Sequence, residues 1–300
     1  GKSLCHQLAG QGINIVLAAM PDAMLDTAAA ELSAAYPGVS VRVVPVNLGA
    51  SDPETYMEPL RRATDDILVQ LVFNNAGYMV TGFFDRTALA RWLANFNCNA
   101  TAAVPITHHF VGRMRAVGAR GAVVFTSSPA NILPSPFSSM YGATKAFITH
   151  FATSLAAELY PSGIDVSVVH PSPTATAFYT GAHALPTLHM FKGTAKGPDR
   201  VADVILRGVG RSVIIDQGYF PITFRLLTRL LDTTFLAEII PMAASGTADY
   251  KALVAAQSAP APAASAPVPV TLPPPAAPTS GKRSKSPASS ARRRGGGGRD

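Results

Sequence analysis

The sequence contains few cysteines and has no apolar run long and uninterrupted enough to suggest a membrane-spanning helix. Cys5 and Cys98 are its two cysteines, which is too few for the disulfide framework of a small secreted domain. Neither has the spacing of a metal ligand, so we expect a reduced compartment and no metal site. With 48% hydrophobic residues, the chain can bury one sizeable core, as a single α/β domain of about 250 residues does.

Most of the chain lacks an excess of basic residues, although the net charge is +7. The last twenty residues contribute +6 of this charge through Lys282, Arg283, Lys285, Arg292, Arg293, Arg294, Arg299 and the opposing Asp300. The nearly neutral remainder offers no broad basic face to a phosphate backbone, so we expect no folded nucleic-acid site. Residues 251–300 are Pro/Ala/Ser-rich and then basic, which predicts a disordered tail. A solvated tail is favoured over a localisation signal or an acidic-partner site.

Short runs rich in Val and Ile alternate with helical patterns over the first 215 residues, which is typical of βαβ units. The sequence predicts strands at 13–18, 39–46, 67–73, 121–126, 164–169 and 212–215. It predicts helices at 23–36, 53–65, 88–114 and 138–159. Because the strands are apolar on both sides, we expect an α/β fold with a doubly wound parallel sheet and helices on both faces.

Polar motifs follow two of these strands. Asn74-Asn75-Ala76-Gly77 follows the strand at 67–73, and Ser128 follows the strand at 121–126, thirteen residues before Tyr141 of a Tyr-x-x-x-Lys motif. Together and in this order the motifs resemble the short-chain dehydrogenase/reductase family, from residue 1 to about 218. The resemblance implies a Rossmann-type catalytic domain over residues 1–250.

The first residues, Gly1-Lys2-Ser3-Leu4, look like the final glycine of the family's Gly-rich turn and the helix behind it. The chain begins without an initiator Met or a leader pattern. We therefore expect an N-terminally truncated catalytic domain, with the first strand and most of the Gly-rich turn missing.

The four-residue spacing places Tyr141 and Lys145 on one helix face. A nearby ammonium stabilises a phenolate, so we expect the pKa of Tyr141 to be lowered. The resemblance implies that Tyr141 is the general acid/base of a ketone–alcohol interconversion and that Lys145 also holds the cofactor ribose.

Two further catalytic positions come from the resemblance. Ser128, in preference to Ser127, is expected to hydrogen-bond the substrate oxygen and the tyrosine. Asn99 is expected to position a water in the proton relay behind the lysine. Asn97 is the alternative, and a third interpretation makes Asn99 a buried structural residue satisfied by helix backbone.

The resemblance implies an NAD(P)(H) cofactor bound by Gly1, Met20, Asn47, Asn75, Ala76, Gly77, Tyr141, Lys145, Pro171 and Thr176. The strand that ends near Met20 carries neither an acidic residue for the adenosine 2′-hydroxyl nor the arginine of many NADP-preferring relatives. A neutral pocket does not repel a 2′-phosphate, so NADP(H) is favoured over NAD(H). Asn47 replaces a common aspartate and can still accept a hydrogen bond. Ser172 stands where the cofactor loop usually has glycine.

Residues 219–242 are strongly apolar but are interrupted by Arg225, Arg229, Asp232 and Glu238. They therefore predict an amphipathic helical segment and not a clean membrane span. The favoured interpretation is a lid packed over a cleft. The alternative is an interfacial membrane helix with its two arginines at headgroup level.

Gly1-Lys2-Ser3 running into Leu8-Ala9 is most similar to the family branch of 3-ketoacyl-CoA reductases and 17β-hydroxysteroid dehydrogenases. We expect NADPH-dependent reduction of a ketone on a hydrophobic, lipid-like substrate. The enzyme would be a homodimer, in the cytoplasm or on the cytosolic face of an internal membrane such as the endoplasmic reticulum. The alternative is a catalytically impaired protein of this fold that binds cofactor or serves as a membrane-associated scaffold. His170, beside the cofactor loop, is a minor candidate for lining the site.

Overall fold

The structure, a computed structural model, describes residues 1–179, 182 and 185–258. The predicted disorder of residues 259–300 lies outside the described residues. The strands are β1 (Ile15–Ala19), β2 (Val41–Pro45), β3 (Leu71–Asn74), β4 (Gly121–Thr126), β5 (Ile164–Pro171) and β6 (Ile214–Gln217). The helices are α1 (Lys2–Ala9), α2 (Ala23–Ala35), α3 (Glu54–Thr64), α4 (Leu89–Phe96), α5 (Ala103–Ala116), α6 (Ser139–Leu159), α7 (Pro186–Gly193), α8 (Pro198–Gly208), α9 (Tyr219–Leu230), α10 (Thr233–Ala244) and α11 (Ala248–Ser258).

All strands pair in parallel, as predicted, but they form two separate groups. β1 pairs with β2, and the other four pair in the order β3-β4-β5-β6. A cleft of about 1530 Å³ is lined by both β1 and β3. In a doubly wound sheet of order 3-2-1-4-5-6, the first strand lies between the second and the fourth. The cleft therefore agrees with the expectation that this chain lacks the family's first strand.

The core has one layer on each face of the larger sheet. The side chains of β4 point alternately into these two layers. Val123 and Phe125 pack with α5 and α6, whereas Val124 between them packs with α1 and α8. Successive side chains of a strand point to opposite faces, so an all-apolar strand needs helices on both. The predicted doubly wound α/β class is confirmed.

Helix α6 carries core and polar residues on a single stripe. Its buried positions include Tyr141, Lys145, Ile148, Ala152 and Leu159, spaced as one helical face. The apolar members fix the helix against the sheet. The two polar members are thereby held at the end of the same face, beside the carboxyl end of β4.

The segment 219–242 is two helices, not one. Asp232 ends the run, because its carboxylate accepts from the backbone N–H groups of Thr234 and Phe235 and caps α10. Neither helix covers the cleft of 1530 Å³, whose lining comes from residues 1–210. Within the described ranges, we find no helix with the length and apolar character needed to cross a bilayer.

Helix α11 moves the boundary between the domain and its tail. It extends beyond residue 250, where we expected disorder to begin, and ends at Ser258. Leu253 is buried against Leu185, which lies just before α7, and against Leu188, which lies in its first turn. That burial orders the segment, so the compact unit comprises Gly1–Ala259.

Candidate active site

The carboxyl end of β4 meets the first two turns of α6. Tyr141 and Lys145 are both buried there, and the Lys145 ammonium lies 5.7 Å from the centre of the Tyr141 ring. Lys145 Nζ donates to the Thr126 carbonyl oxygen at 2.8 Å. Ser128 hydrogen-bonds the Tyr141 side chain. The structure thus brings the predicted Ser, Tyr and Lys together.

Burial dominates the acidity of both groups. It raises the pKa of Tyr141 well above its usual value of 10, and the Ser128 hydrogen bond opposes this shift only in part. Burial lowers the pKa of Lys145 to about 8. The spacing of Tyr141 and Lys145 predicted a lowered pKa for the phenol. Desolvation by burial instead raises this pKa, because the buried phenolate loses its contact with water.

The two serines after β4 have different partners. Ser127 Oγ donates to the Lys145 carbonyl oxygen at 2.8 Å and lies 2.7 Å from Thr149 Oγ1. Ser128 accepts from the backbone N–H of Ala130 and contacts Tyr141. Ser128 is therefore the serine beside Tyr141, and Ser127 joins the strand end to the helix.

Asn99 lies in a π-helical turn, Asn97–Thr101, between α4 and α5. Such turns occur often at functional sites. Its side chain accepts from the backbone N–H of Tyr78 at 3.0 Å and donates to the Tyr78 carbonyl oxygen at 2.8 Å. Asn97, the alternative, donates instead to the carbonyls of Gly49 and Ala50. Asn99 is the asparagine near Lys145.

Gly77 shows how closely these groups approach. A Cβ on Gly77 would lie 3.0 Å from Asn99 Oδ1 and 3.5 Å from Lys145 Nζ. The Asn74–Gly77 turn therefore lies against Asn99 and Lys145, and a side chain at position 77 would be crowded by the Asn99 amide.

The cleft between β1 and β3 collects the predicted cofactor residues from the first half of the chain. Its lining includes Asn99 together with Gly1, Met20, Asn47, Asn75, Ala76 and Gly77. Asn75 Oδ1 accepts from the Thr126 hydroxyl at 3.1 Å, which ties the turn after β3 to the end of β4. Asn47 Oδ1 accepts from the Gly49 backbone N–H. The six predicted cofactor residues Gly1, Met20, Asn47, Asn75, Ala76 and Gly77 therefore line the same cleft.

The loop after β5 is arranged differently. Pro171 ends the strand, and the exposed Thr176 accepts from the backbone N–H of Phe178; neither lines the cleft. Ser172, which stands where glycine is usual, is buried and its hydroxyl accepts from the backbone N–H of Phe220 at 3.3 Å. The unusual serine therefore caps the start of α9, a role that the sequence analysis missed because it depends on a contact 48 residues away.

The residues present fit a nicotinamide dinucleotide. The Asn75–Gly77 turn lines the cleft, and a Cβ on Gly77 would lie 3.5 Å from the Lys145 ammonium, so the backbone of this turn lies directly beside that group. Lys145 and Asn75 would hold the nicotinamide and its ribose, and Gly1, at the start of α1, would face the diphosphate.

The short chain dehydrogenase family model matches residues 1–184 of this sequence. The chain belongs to this family. Its fold is therefore the Rossmann-type α/β fold of this family, and the predicted family and fold are confirmed.

Similar proteins include a hydroxysteroid dehydrogenase and an oxoacyl-CoA reductase. A 7beta-hydroxysteroid dehydrogenase of Collinsella aerofaciens is 31% identical over 219 residues, 73% of this chain and 81% of that protein. A very-long-chain 3-oxoacyl-CoA reductase of Podospora anserina is 31% identical over 174 residues, 56% of this chain and 50% of the reductase. The chain thus spans about half the length of that reductase.

A solved structure shares the fold. The short-chain dehydrogenase from Sphingobium yanoikuyae, in complex with NADPH, matches with a TM-score of 0.64 and 25% sequence identity. The match covers 88% of this chain and 94% of that one.

Proposed function

We propose that this short-chain dehydrogenase reduces a ketone on a hydrophobic, lipid-like molecule with NADPH. The observation that carries the proposal is that Tyr141 and Lys145 are buried together, with the Lys145 ammonium over the phenol ring and Ser128 beside the phenol. A lysine is rarely buried without a partner, and groups with strongly shifted pKa values cluster at functional sites.

The chemistry requires one hydride and one proton. NADPH, when bound, would supply the hydride to the carbonyl carbon, and the broken C=O π bond would leave its electron pair on oxygen. Tyr141 gives its phenolic proton to that oxygen, and Ser128 donates a hydrogen bond to it. Lys145, one turn away, stabilises the phenolate that remains until a proton returns through the Asn99 side of the site.

Cofactor preference is argued from the end of β1. Asp22 is the acidic residue nearest to Met20 in the sequence, and its carboxylate is engaged by the backbone N–H groups of Met24 and Leu25 as the cap of α2. It is thereby committed to the helix and not offered to a ribose hydroxyl. This supports NADP(H) over NAD(H).

A hydrophobic substrate is supported by the rings beside Tyr141. Phe178 lies 5.6 Å from the Tyr141 ring, and Tyr179 lies 5.2 Å from Phe178. Tyr179, Phe83 and Phe137 all pack against one buried apolar cluster. A wall of aromatic rings next to the general acid suits a hydrophobic ketone better than a polar one. The activities for which the two similar enzymes are named agree with this class.

The test is NADPH oxidation by the purified protein against a panel of ketones with steroid, 3-oxoacyl and short polar bodies. We expect turnover with a hydrophobic ketone, and a Tyr141→Phe variant should lose about a thousandfold in kcat. The Tyr160→Phe variant, on an 81% exposed tyrosine, is the matched control. A Tyr141→Phe variant as active as the wild type would contradict the mechanism. Cofactor binding with no turnover on any ketone would favour the impaired, scaffold-type alternative.

We further propose that α9 and α10 contact an anionic membrane surface. Exposed apolar side chains on the two helices are Tyr219, Ile222, Leu226, Leu230, Phe235, Ile239 and Met242, and Arg229 is exposed beside them. The basic end of the sequence would supply a second, electrostatic signal. This would place a cytoplasmic protein at the cytosolic face of an internal membrane.

Co-sedimentation with phosphatidylcholine vesicles, with and without phosphatidylserine, tests the membrane contact. Leu226→Glu should abolish binding and Leu89→Glu, on a leucine of α4 that is 64% exposed against 55% for Leu226, should not. If Leu226→Glu changes the oligomeric state instead, the surface is an interface between copies of the chain.

A further inference from the structure

A chain of polar groups connects the end of β4 to α9 through α6, β5 and β6. It consists of Ser127, Thr149, His170, Asp216 and Arg225. Ser127 and His170 are buried, at 2% and 0% exposure, whereas the other three are partly exposed. Burying a polar group is costly unless it is hydrogen-bonded, so the partners of the two buried members are specific.

His170 is the centre of the chain, and each ring nitrogen has a partner. Nδ1 lies 2.8 Å from Asp216 Oδ1, and Nε2 lies 3.1 Å from Thr149 Oγ1. Asp216 is held in turn by Arg225 Nε at 2.7 Å. Arg225 Nη2 also lies 3.2 Å from His170 Nδ1. The charged groups facing the imidazole are therefore one carboxylate and one guanidinium.

The charge state of His170 follows from this setting. Burial lowers the pKa of His170 below its usual value, and the attraction of Asp216 opposes that effect only in part. Arg225 adds repulsion. A neutral ring carries one proton, and the carboxylate beside Nδ1 is the strongest acceptor within its reach.

The Thr149 hydroxyl is shared among several acceptors. It lies 2.7 Å from Ser127 Oγ and 2.9 Å from the Lys145 carbonyl oxygen, in addition to its contact with His170 Nε2. A histidine whose Nε2 has only a lone pair accepts the Thr149 proton. The Thr149 oxygen can then accept the Ser127 proton, which Ser127 shares between Thr149 and the Lys145 carbonyl oxygen, and this gives one direction to the whole chain.

We propose that Asp216 holds neutral His170 with its proton on Nδ1, and that the resulting chain through Thr149 to Ser127 positions Ser128 against Tyr141. The inference rests on the proposed function, because it assigns positioning residues to that reaction. Ser127 is covalently next to Ser128, and its hydroxyl is joined to the turn Lys145–Thr149 of α6. Movement of this joint would change the distance between the substrate's hydrogen-bond donor and its proton donor.

Arg225 and Ser172 bring α9 into the same arrangement. The guanidinium of α9 holds Asp216, and the Ser172 hydroxyl caps the helix at Phe220. A shift of α9 would therefore move Asp216 and His170, and through them Thr149 of α6. We assign Asp216, His170 and Thr149 a positioning role, since none of them reaches the Tyr141–Ser128 pair itself.

The test compares Thr149→Val, which keeps the shape and removes the hydroxyl, with Thr149→Ser, which keeps the hydroxyl. Thr149→Val should lower kcat about tenfold while the KM for NADPH changes less than about twofold, because a misplaced donor affects the transition state and not cofactor binding. Thr149→Ser should restore kcat to within about threefold of the wild type. Thr153→Val is the matched control one turn along α6, since the Thr153 hydroxyl donates only to the helix carbonyls of Thr149 and His150.

A second measurement does not depend on turnover. In the wild type, nitrogen NMR of ¹⁵N-histidine-labelled protein should show His170 as the neutral Nδ1–H tautomer, and Asp216→Asn should weaken that preference. Equal kcat in Thr149→Val and Thr149→Ser would overturn the inference, as would a wild-type His170 protonated on Nε2. A wild type that binds NADPH but turns over no ketone contradicts the proposed function instead, and the two failures are thereby distinguished.

Discussion

The two sides of the site differ in how they are built. On the catalytic side, Tyr141, Lys145 and Asn99 are buried, and Lys145 donates to Thr126 at the end of a strand in the four-stranded sheet. On the nucleotide side, Met20 is 51% exposed and β1 has only one neighbouring strand. The catalytic side is specified by side chains held in place by a core. The nucleotide side depends on backbone around an open cleft, so substitutions should affect the two sides unequally.

After Tyr141, the largest effect is expected at Lys145, on the catalytic side. Lys145→Met keeps most of the side chain's volume but removes the charge that stabilises the Tyr141 phenolate, so kcat should fall by about a hundredfold or more. Because the pKa of Lys145 is lowered to about 8, the wild type should also lose turnover as the pH rises through about 8 and the ammonium deprotonates. A pH profile of kcat for both proteins checks this.

Lys145→Arg is the control, since a guanidinium stays charged throughout this range. It should lack the decline near pH 8. An unchanged decline in Lys145→Arg would assign that titration to another group and weaken the role given to Lys145.

An intermediate effect is expected at Gly77, where the two sides meet. In Gly77→Ala the new Cβ would lie 3.0 Å from Asn99 Oδ1, so either the turn or the asparagine must move. We expect a loss of about 1–3 kcal/mol in the free energy of unfolding, together with a lower kcat. Urea denaturation and steady-state kinetics measure the two effects.

Gly112→Ala provides the comparison for Gly77→Ala. Gly112 lies in α5, and its Cβ would have nothing within 4 Å. This variant should be stabilised by up to about 1 kcal/mol through helix propensity. If both alanines behave alike, the close approach at Gly77 has no energetic consequence.

The smallest effect is expected on the nucleotide side. Met20→Arg places an exposed guanidinium where a 2′-phosphate would lie, and an exposed ion pair contributes about 1 kcal/mol or less. The KM for NADPH should therefore fall about threefold while that for NADH stays constant, and added salt should reduce the gain. Val117→Arg, at the exposed end of α5, should change neither value.

Features that depend on local sequence could be predicted, and features that depend on burial by distant elements could not. Short apolar runs located all six strands, and β4 begins and ends at the predicted residues Gly121 and Thr126. The spacing of Tyr141 and Lys145 predicted their common helix face because that relation is local. The raised pKa of Tyr141 could not be predicted, because it results from burial by distant elements.

Other features depended on contacts between residues far apart in the chain. The capping of α9 by Ser172 and the burial of Leu253 join segments separated by tens of residues. His170 was visible in the sequence as a residue beside the cofactor loop. Its partners Thr149 and Asp216 were not, since parallel strands and a crossover helix bring them together.

The most direct test of the central claim follows the hydride itself. The protein is incubated with a hydrophobic ketone and NADPH that is stereospecifically deuterated at C4 of the nicotinamide, and the product is analysed by mass spectrometry. The account predicts an alcohol that carries one deuterium on the former carbonyl carbon, from one of the two C4 positions only. Ketone recovered unchanged beside bound NADPH, or an alcohol without deuterium, would contradict it.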